Sequence, residues 1–525
     1  MKKAVIIMNK VLDWISLVFF AWIFLLVIFF ADGMEYACKR VLNMNNKELL
    51  LIAFAILGII WLCIYLLSKF VKERLTNIKL VGQIRYNHVV NVLSAVLLLL
   101  QIFICYNIFF ETGWDPGYYI IPAARTLLAE GNVNSMKTGY FNMFPNNLLL
   151  VNIYYVILKI NDYFGIFKNE YQLMIIVIVN CIINTLSCRM IYSVVSRKIG
   201  QNYAFWAFCL SVVLLGLSPW SVICYSDTFA LFIPILSVYL LECSKIPCSL
   251  RYVMVIVLGY AGYCIKPQVS IVVIALAIVE ILKKSKEDLK KRLSYGAKVL
   301  LISGIIIFFS NIMLQNVYTN EGFVLNSEKQ FGASHFFMMG LNPDRMGIFS
   351  AEDGAISSSC AGKKERREKN LEVAKERLQS YGFTGYMKFL SKKMLTNYND
   401  GTFAWSVEGE FYNDMREDVD TVFAPKLKNL YYDYGTDYQV FALTVQLAWV
   451  MIIVFIFIRT LFAVREKDNE DYLYRIMILS LVGLTIFELL FEARARYLYT
   501  YIPLYIIVAM YGIRDVIMVK YLFKI

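Results

Sequence analysis

Histidine is nearly missing from this chain, with two in 525 residues, and its 11 cysteines form no Cys-x-x-Cys or Cys/His pair at metal-ligand spacing. A zinc centre and a disulfide framework are thereby set aside. Most of the cysteines (Cys63, Cys105, Cys181, Cys188, Cys209, Cys224 and Cys264) lie inside apolar runs, where a thiol behaves as a small hydrophobe. No glycine-rich nucleotide loop, internal repeat or low-complexity tract occurs, which counts against a pump driven by cytoplasmic ATP. Charge is scarce as well: 18% of residues are charged against 59% hydrophobic. A water-soluble core cannot hide that much apolar surface, so lipid must be part of the solvent.

What charge there is has a pattern. The net charge of +12 comes from Lys and Arg grouped in short segments between apolar runs, which is the positive-inside distribution and does not call for a nucleic-acid partner. A bilayer core needs about 20 apolar residues per helix, and runs of that kind start near Leu12, Leu49, Val89, Gln172, Tyr203, Thr228, Arg251, Val269, Val299, Gln439, Tyr472 and Tyr497. The first, from about Trp14 to Ala31, reads as a retained signal anchor. A shorter run, Asn147 to Ile160, decides the parity of the chain. If it crosses, every later basic segment faces outward; if it lies in the interface, the segments Lys69 to Arg85, Arg197-Lys198, Lys245 to Arg251, Lys283 to Lys298, Arg459 to Lys467 and Arg514 to Lys524 all face the cytoplasm.

The second solution predicts an all-α polytopic protein of the plasma membrane with about twelve transmembrane helices, juxtamembrane helices and both termini cytoplasmic. Its parts are an N-terminal hairpin and basic loop (1–86), a membrane core with an outer loop at 111–146 (87–315), an extracytoplasmic insert of mixed structure (316–437) and C-terminal spans (438–525).

Several polar motifs then fall on the outer face. Gly113-Trp114-Asp115-Pro116-Gly117-Tyr118-Tyr119 follows the third span. Asp before Pro suits a helix N-cap, and a carboxylate at a membrane surface also suits a general base toward a hydroxyl; the two roles are compatible. Tyr225-Ser226-Asp227 supplies a second outer carboxylate, readable as a cap between spans or as a paired functional group. Lys266-Pro267 interrupts an otherwise continuous apolar segment. Glu492-Ala493-Arg494-Ala495-Arg496 lies between the last two spans, where the arginine forks fit a phosphate, or where Glu492 and Arg496 pair with each other. Within the insert, His335 stands among aromatics and reads first as a packed side chain, while Asn399-Asp400-Gly401-Thr402, with Trp405, suits a sugar-facing lip or an ordinary turn. The run Gly362 to Lys393 has the spacing of an amphipathic helix.

With these residues in place, the chain resembles the GT-C superfamily of polyprenol-dependent membrane glycosyltransferases, which includes protein O-mannosyltransferases and aminoarabinose transferases of lipid A. Asp115 in GWDPGYY matches the acidic position of that family's first outer loop, Phe144-Pro145-Asn146-Asn147 its entry to a juxtamembrane helix, Tyr225-Ser226-Asp227 its second acidic site, and Arg494 and Arg496 its basic cluster. The resemblance implies inverting transfer of a sugar from a polyprenyl-phosphate donor to a cell-envelope acceptor. Asp115 and Asp227 would be catalytic, Lys266, Arg494 and Arg496 would hold the donor phosphate, and His335, Asp400, Trp405 and Glu492 would face the acceptor or sugar. No cofactor is required by this reading, and a divalent cation between Asp115 and Asp227 stays open. Two other readings also stay open: a polysaccharide polymerase or ligase using pyrophosphate-linked donors, and a non-catalytic lipid-linked-sugar transporter.

Overall fold

A computed structural model describes residues 2–31, 45–55, 83–168, 171–282, 289–405, 421–466 and 471–522. Eleven of the twelve apolar runs fall on helices, the run from Leu49 lies outside the described residues beyond 55, and no strand occurs among the described residues. In chain order the helices are α1 (Lys2–Phe29), α2 (Gln83–Asn107), α3 (Ile121–Glu130), α4 (Gly139–Met143), α5 (Leu148–Phe164), α6 (Met174–Lys198), α7 (Gln201–Ser211), α8 (Ser226–Cys243), α9 (Cys248–Tyr263) and α10 (Ile271–Ile281). They continue as α11 (Leu289–Asn320), α12 (Ala333–Gly340), α13 (Ala351–Ser358), α14 (Lys363–Tyr398), α15 (Ala424–Tyr431), α16 (Tyr438–Arg465), α17 (Tyr472–Leu490), α18 (Ala495–Tyr499) and α19 (Ile502–Leu522). A further helical stretch covers 46–55.

Seven of the described helices are long and apolar enough to cross a membrane: 5–29, 86–107, 174–198, 226–243, 294–320, 438–465 and 472–490. Shorter apolar helices span Gln201–Gly216, Cys248–Tyr263 and Pro267–Ile281. The outer helices turn apolar side chains away from the protein, as Leu300, Leu301, Phe308 and Met313 of α11 do, which suits contact with lipid tails. The central helices α6, α17 and α19 are packed on several sides, with α19 laid along α16. Breaks between helices follow local chemistry. Lys266 is extended and Pro267 opens a 3₁₀ turn, so one apolar segment becomes α9 and α10. Asp471 caps α17 by accepting from the Leu473 and Tyr474 amides.

The helices alternate between two ends. At one end Lys198 pairs with Glu242 at 2.9 Å, Arg459 with Asp515 at 2.8 Å, Arg475 with Asp13 at 3.4 Å, and Tyr472 donates to Glu280 at 2.5 Å. Arg251 of another basic segment lies there too and donates to the Leu241 carbonyl at 2.7 Å. At the other end α2 stops and α6 starts side by side: the Tyr106 and Tyr171 rings lie 5.9 Å apart, and Arg125 bridges Glu111 at 3.0 Å and Gln172 at 3.3 Å. The chain between them, including α5, leaves from and returns to that same end.

The insert packs against this second end. Its described residues form helices joined by turns rather than mixed structure: in α14 Ala374 is buried and Leu378 and Tyr381 pack with it, and most of the helix's charges face out, with Arg366 and Lys393 buried. Gly382, at φ +56, bends α14 so that its second half turns inward onto the membrane helices. The stretch containing Glu408 and Glu410 lies outside the described residues, as does most of the basic segment 69–85.

Candidate active site

Five segments far apart in sequence meet where the second end is most polar. The first is the loop before Pro116. Trp114 adopts the left-handed conformation at φ +53, and Pro116–Ile120 forms a turn of π-helix. Gly117 fits under this turn because a Cβ there would collide with the Thr112 carbonyl. Asp115 precedes the turn, but its side chain makes no capping hydrogen bond. Instead Asp115 Oδ2 accepts from the Tyr225 hydroxyl at 3.2 Å. The capping role is therefore not what holds this carboxylate.

Tyr225 sits ahead of α8 in an extended conformation. Burial first, and the neighbouring Asp115 carboxylate second, push its phenol well above the usual range, so it stays protonated and acts as a donor. Tyr140 is raised in the same way by burial, Tyr225 and Asp115; its hydroxyl accepts from Asn147 Nδ2 at 2.6 Å, and its ring stacks on Tyr119 at 4.1 Å. Asp115 thus stands in a frame of phenols.

Arg496 approaches from α18. Its guanidinium lies over three rings, Trp114 at 5.1 Å, Tyr225 at 5.5 Å and Tyr497 at 5.7 Å. Tyr497 also carries Lys266 Nζ over its face at 4.4 Å and donates to Glu492 Oε2 at 2.7 Å. Lys266 is paired with Asp227 Oδ1, and both are buried. Arg494 binds Glu492 at 2.9 Å. Burial opposes ionisation of Glu492, but Arg494, Tyr497 and Arg496 outweigh it and hold the carboxyl below its usual value. Glu492 pairs with Arg494, two residues on, and Arg496, four residues on, also draws its carboxyl down. Asp115, Asp227, Lys266, Glu492, Arg494 and Arg496 therefore form one cluster joined through Tyr225 and Tyr497.

Of the three remaining candidates, Asp400 and Trp405 are corrected as sugar-facing residues, and His335 is packed, as its first reading has it. Asp400 does not face a sugar: it is buried, and its oxygens accept from the Thr402 amide and hydroxyl at 2.8 and 2.7 Å and from the Ala404 amide at 2.7 Å. That carboxylate ties a tight turn in which Phe403 and Ala404 have positive φ. Trp405 is 0% exposed, packs on Trp220 and Tyr432, and donates to the Tyr431 carbonyl at 2.7 Å. His335 is packed in the insert between Phe331 and Phe336 with Nδ1 2.7 Å from Ser357 Oγ, and burial pushes its imidazole down to about 4. A shared divalent cation does not suit Asp115 and Asp227 as they stand. One is held by a phenol and the other by an ammonium, and no group of three or more His, Cys, Asp or Glu with metal-site geometry occurs among the described residues.

Sequence reasoning missed Trp114, Tyr225 and Tyr497, although each adjoins or lies within two residues of a charged residue it had singled out. Ring contacts to cations leave no spacing signal of their own. Within α6, Asn180 donates to the Ser221 and Ile223 carbonyls at 3.0 and 3.1 Å and Asn184 to Ser221 Oγ at 2.8 Å, pinning the 3₁₀ turn at Pro219–Val222.

Among solved structures, the chain is similar to ArnT from Cupriavidus metallidurans bound to undecaprenyl phosphate, at 14% identity and a TM-score of 0.31, and to the same protein in the apo state, at 12% and 0.30. In both cases 81% of this chain and 77% of that chain are covered. Comparison with curated proteins gives no match. Residues 6–517 match the family described as conserved hypothetical integral membrane protein, and the chain belongs to that family.

Proposed function

We propose that the protein is a GT-C type glycosyltransferase that moves a sugar from a polyprenyl-phosphate donor to a hydroxyl of an acceptor outside the cytoplasm. The observation that carries this reading is the meeting of an uncapped carboxylate, Asp115, with the ring-backed cation Arg496, joined through Tyr225 at the end of the bundle away from the basic segments. Under the positive-inside rule that end is extracytoplasmic.

Each group then has a task that its surroundings suit. Asp115 accepts the proton of the acceptor hydroxyl as the new bond forms to the anomeric carbon. The bond from that carbon to the phosphate oxygen breaks, and its electron pair leaves with the phosphate, inverting the carbon. Arg496 and Lys266 hold the developing charge, with the fork of Arg suited to phosphate oxygens. Asp227 acts as a positioning group for Lys266, and Glu492 does the same for Arg494. The donor's tail needs lipid, and the exposed apolar helix faces provide contact with it.

Transport is the weaker reading, because Asn180 and Asn184 spend their amide donors on the Pro219–Val222 turn instead of lining a polar path. The experiment is turnover of a panel of polyprenyl-phosphate sugars by the purified protein, scored for sugar release or transfer. Consumption of at least one donor is expected. Translocation of a donor across a proteoliposome membrane without consumption would replace this reading with transport.

A further inference from the structure

Behind the cluster, one lysine of the insert reaches two helix ends. Lys393, on the inward half of α14, is fully buried. Its Nζ donates to Gly340 O at 2.7 Å, to Leu489 O at 3.0 Å, and to Phe491 O. Gly340 is the last residue of α12, while Leu489 and Phe491 flank the end of α17 at Leu490, so the ammonium serves carbonyls that helix geometry leaves without partners. It also faces the negative ends of both helices.

The surroundings admit little slack. A Cβ on Gly340 would run into the Phe491 and Leu490 carbonyls. Gly347, at φ +77, lies against the Lys393 side chain, and its carbonyl accepts from the Ala493 amide at 2.8 Å. Residues 489–493 are thereby held by the insert immediately before Arg494 and Arg496. Glu488, one residue ahead of this stretch on α17, is completely buried, and neither of its carboxylate oxygens has a hydrogen-bond partner among the described residues.

We propose that Lys393 is a positioning residue, the clasp through which the insert fixes the placement of the arginine-bearing segment after α17. The inference rests on the reading of Arg494 and Arg496 as the phosphate site. A protonated lysine has three N–H donors for its three carbonyls, whereas the neutral amine has two and a lone pair that repels the third. Burial pushes Lys393 down to about 7, against the opposing pull of the carboxyl groups that face it, Glu488 on α17 and Glu492 on the segment that follows. The clasp is complete below that pH and loses one bond above it.

The test is hydrogen–deuterium exchange of the full chain in nanodiscs at about pH 6 and about pH 8.5, corrected for intrinsic exchange, with binding of a long-chain polyprenyl phosphate measured alongside. In the wild type, protection of 489–497 should fall about fivefold at the higher pH, the loss of one hydrogen bond. Lys393→Arg, which keeps its charge, should show no such step, and Lys393→Met should be unprotected at both values while α16 stays protected. Wild-type and Lys393→Arg profiles of the same shape, or Lys393→Met protection equal to wild type, would overturn the proposal. If Lys393→Met does not fold, the comparison of wild type with Lys393→Arg decides alone. A wild type that shows the step in protection but binds no polyprenyl phosphate supports the clasp and removes the phosphate reading.

Discussion

Gly117→Ala tests whether the placement of Asp115, and not its mere presence, sets the rate. A Cβ at position 117 falls 2.9 Å from the Thr112 carbonyl carbon and closer still to its oxygen. Both atoms are backbone, so no side-chain rotation relieves the contact. The loop has to open by about 1 Å, a change comparable to overpacking elsewhere and costing about 1–3 kcal/mol of local stability. Asp115 stands two residues away on the same turn and moves with it. A shift of about 1 Å at a reacting group costs about a hundredfold in rate, so kcat should fall by that order while the helices stay intact. Gly113→Ala is the matched control, since a Cβ there meets only the Tyr118 hydroxyl at 3.9 Å. The assay is steady-state turnover of whichever polyprenyl-phosphate sugar the panel identifies, with thermal unfolding in parallel. Gly117→Ala turning over within about twofold of Gly113→Ala would refute the reasoning, because the strain would then be absorbed without displacing the base.

Two further outcomes follow from the same geometry. Tyr225→Phe keeps the ring beneath Arg496 but removes the 3.2 Å hydrogen bond to Asp115, so kcat should drop about fivefold with donor KM unchanged; an unaltered kcat would show that the phenol does not position the base. His335 has its folded-state value lowered from 6.5 to about 4, so between those pH values the unfolded chain takes up a proton that the native chain refuses. Stability should therefore fall as pH drops through that window, and a His335→Asn variant should lose this part of the slope in its unfolding midpoint; equal slopes would contradict the burial argument.

The membrane architecture was legible because it depends on run lengths and charge, both local properties. The break at Lys266-Pro267 was legible for the same reason: proline ends a helix wherever it stands, and a lysine within apolar sequence needs a partner. Asp115, Asp227, Lys266, Arg494 and Arg496 could be singled out as charges at span ends. Their convergence could not, since it depends on how α8, α9, α17 and α18 pack. Asp400 and Trp405 misled because an Asn-Asp-Gly-Thr turn with a nearby Trp reads the same on a surface as in a core. Only long-range partners decide, here Gln446, whose Oε1 accepts from the Gly401 amide at 2.6 Å, and Trp220, which donates to Thr402 O at 3.0 Å. Lys393 was hidden for a related reason. In sequence it closes a charged amphipathic run, and only the bend at Gly382 turns it inward.

The central claim is that Asp115 takes the acceptor proton at a site that binds the donor independently of it. Its most direct test is to load purified Asp115→Asn protein with the polyprenyl-phosphate sugar that the wild type consumes and to follow the bound donor in a single turnover. The carboxamide keeps the shape and the contact with Tyr225 but cannot act as a base, so the donor should bind with near wild-type affinity and remain intact over many wild-type turnover times. Release or transfer of the sugar at a rate close to wild type would contradict the account.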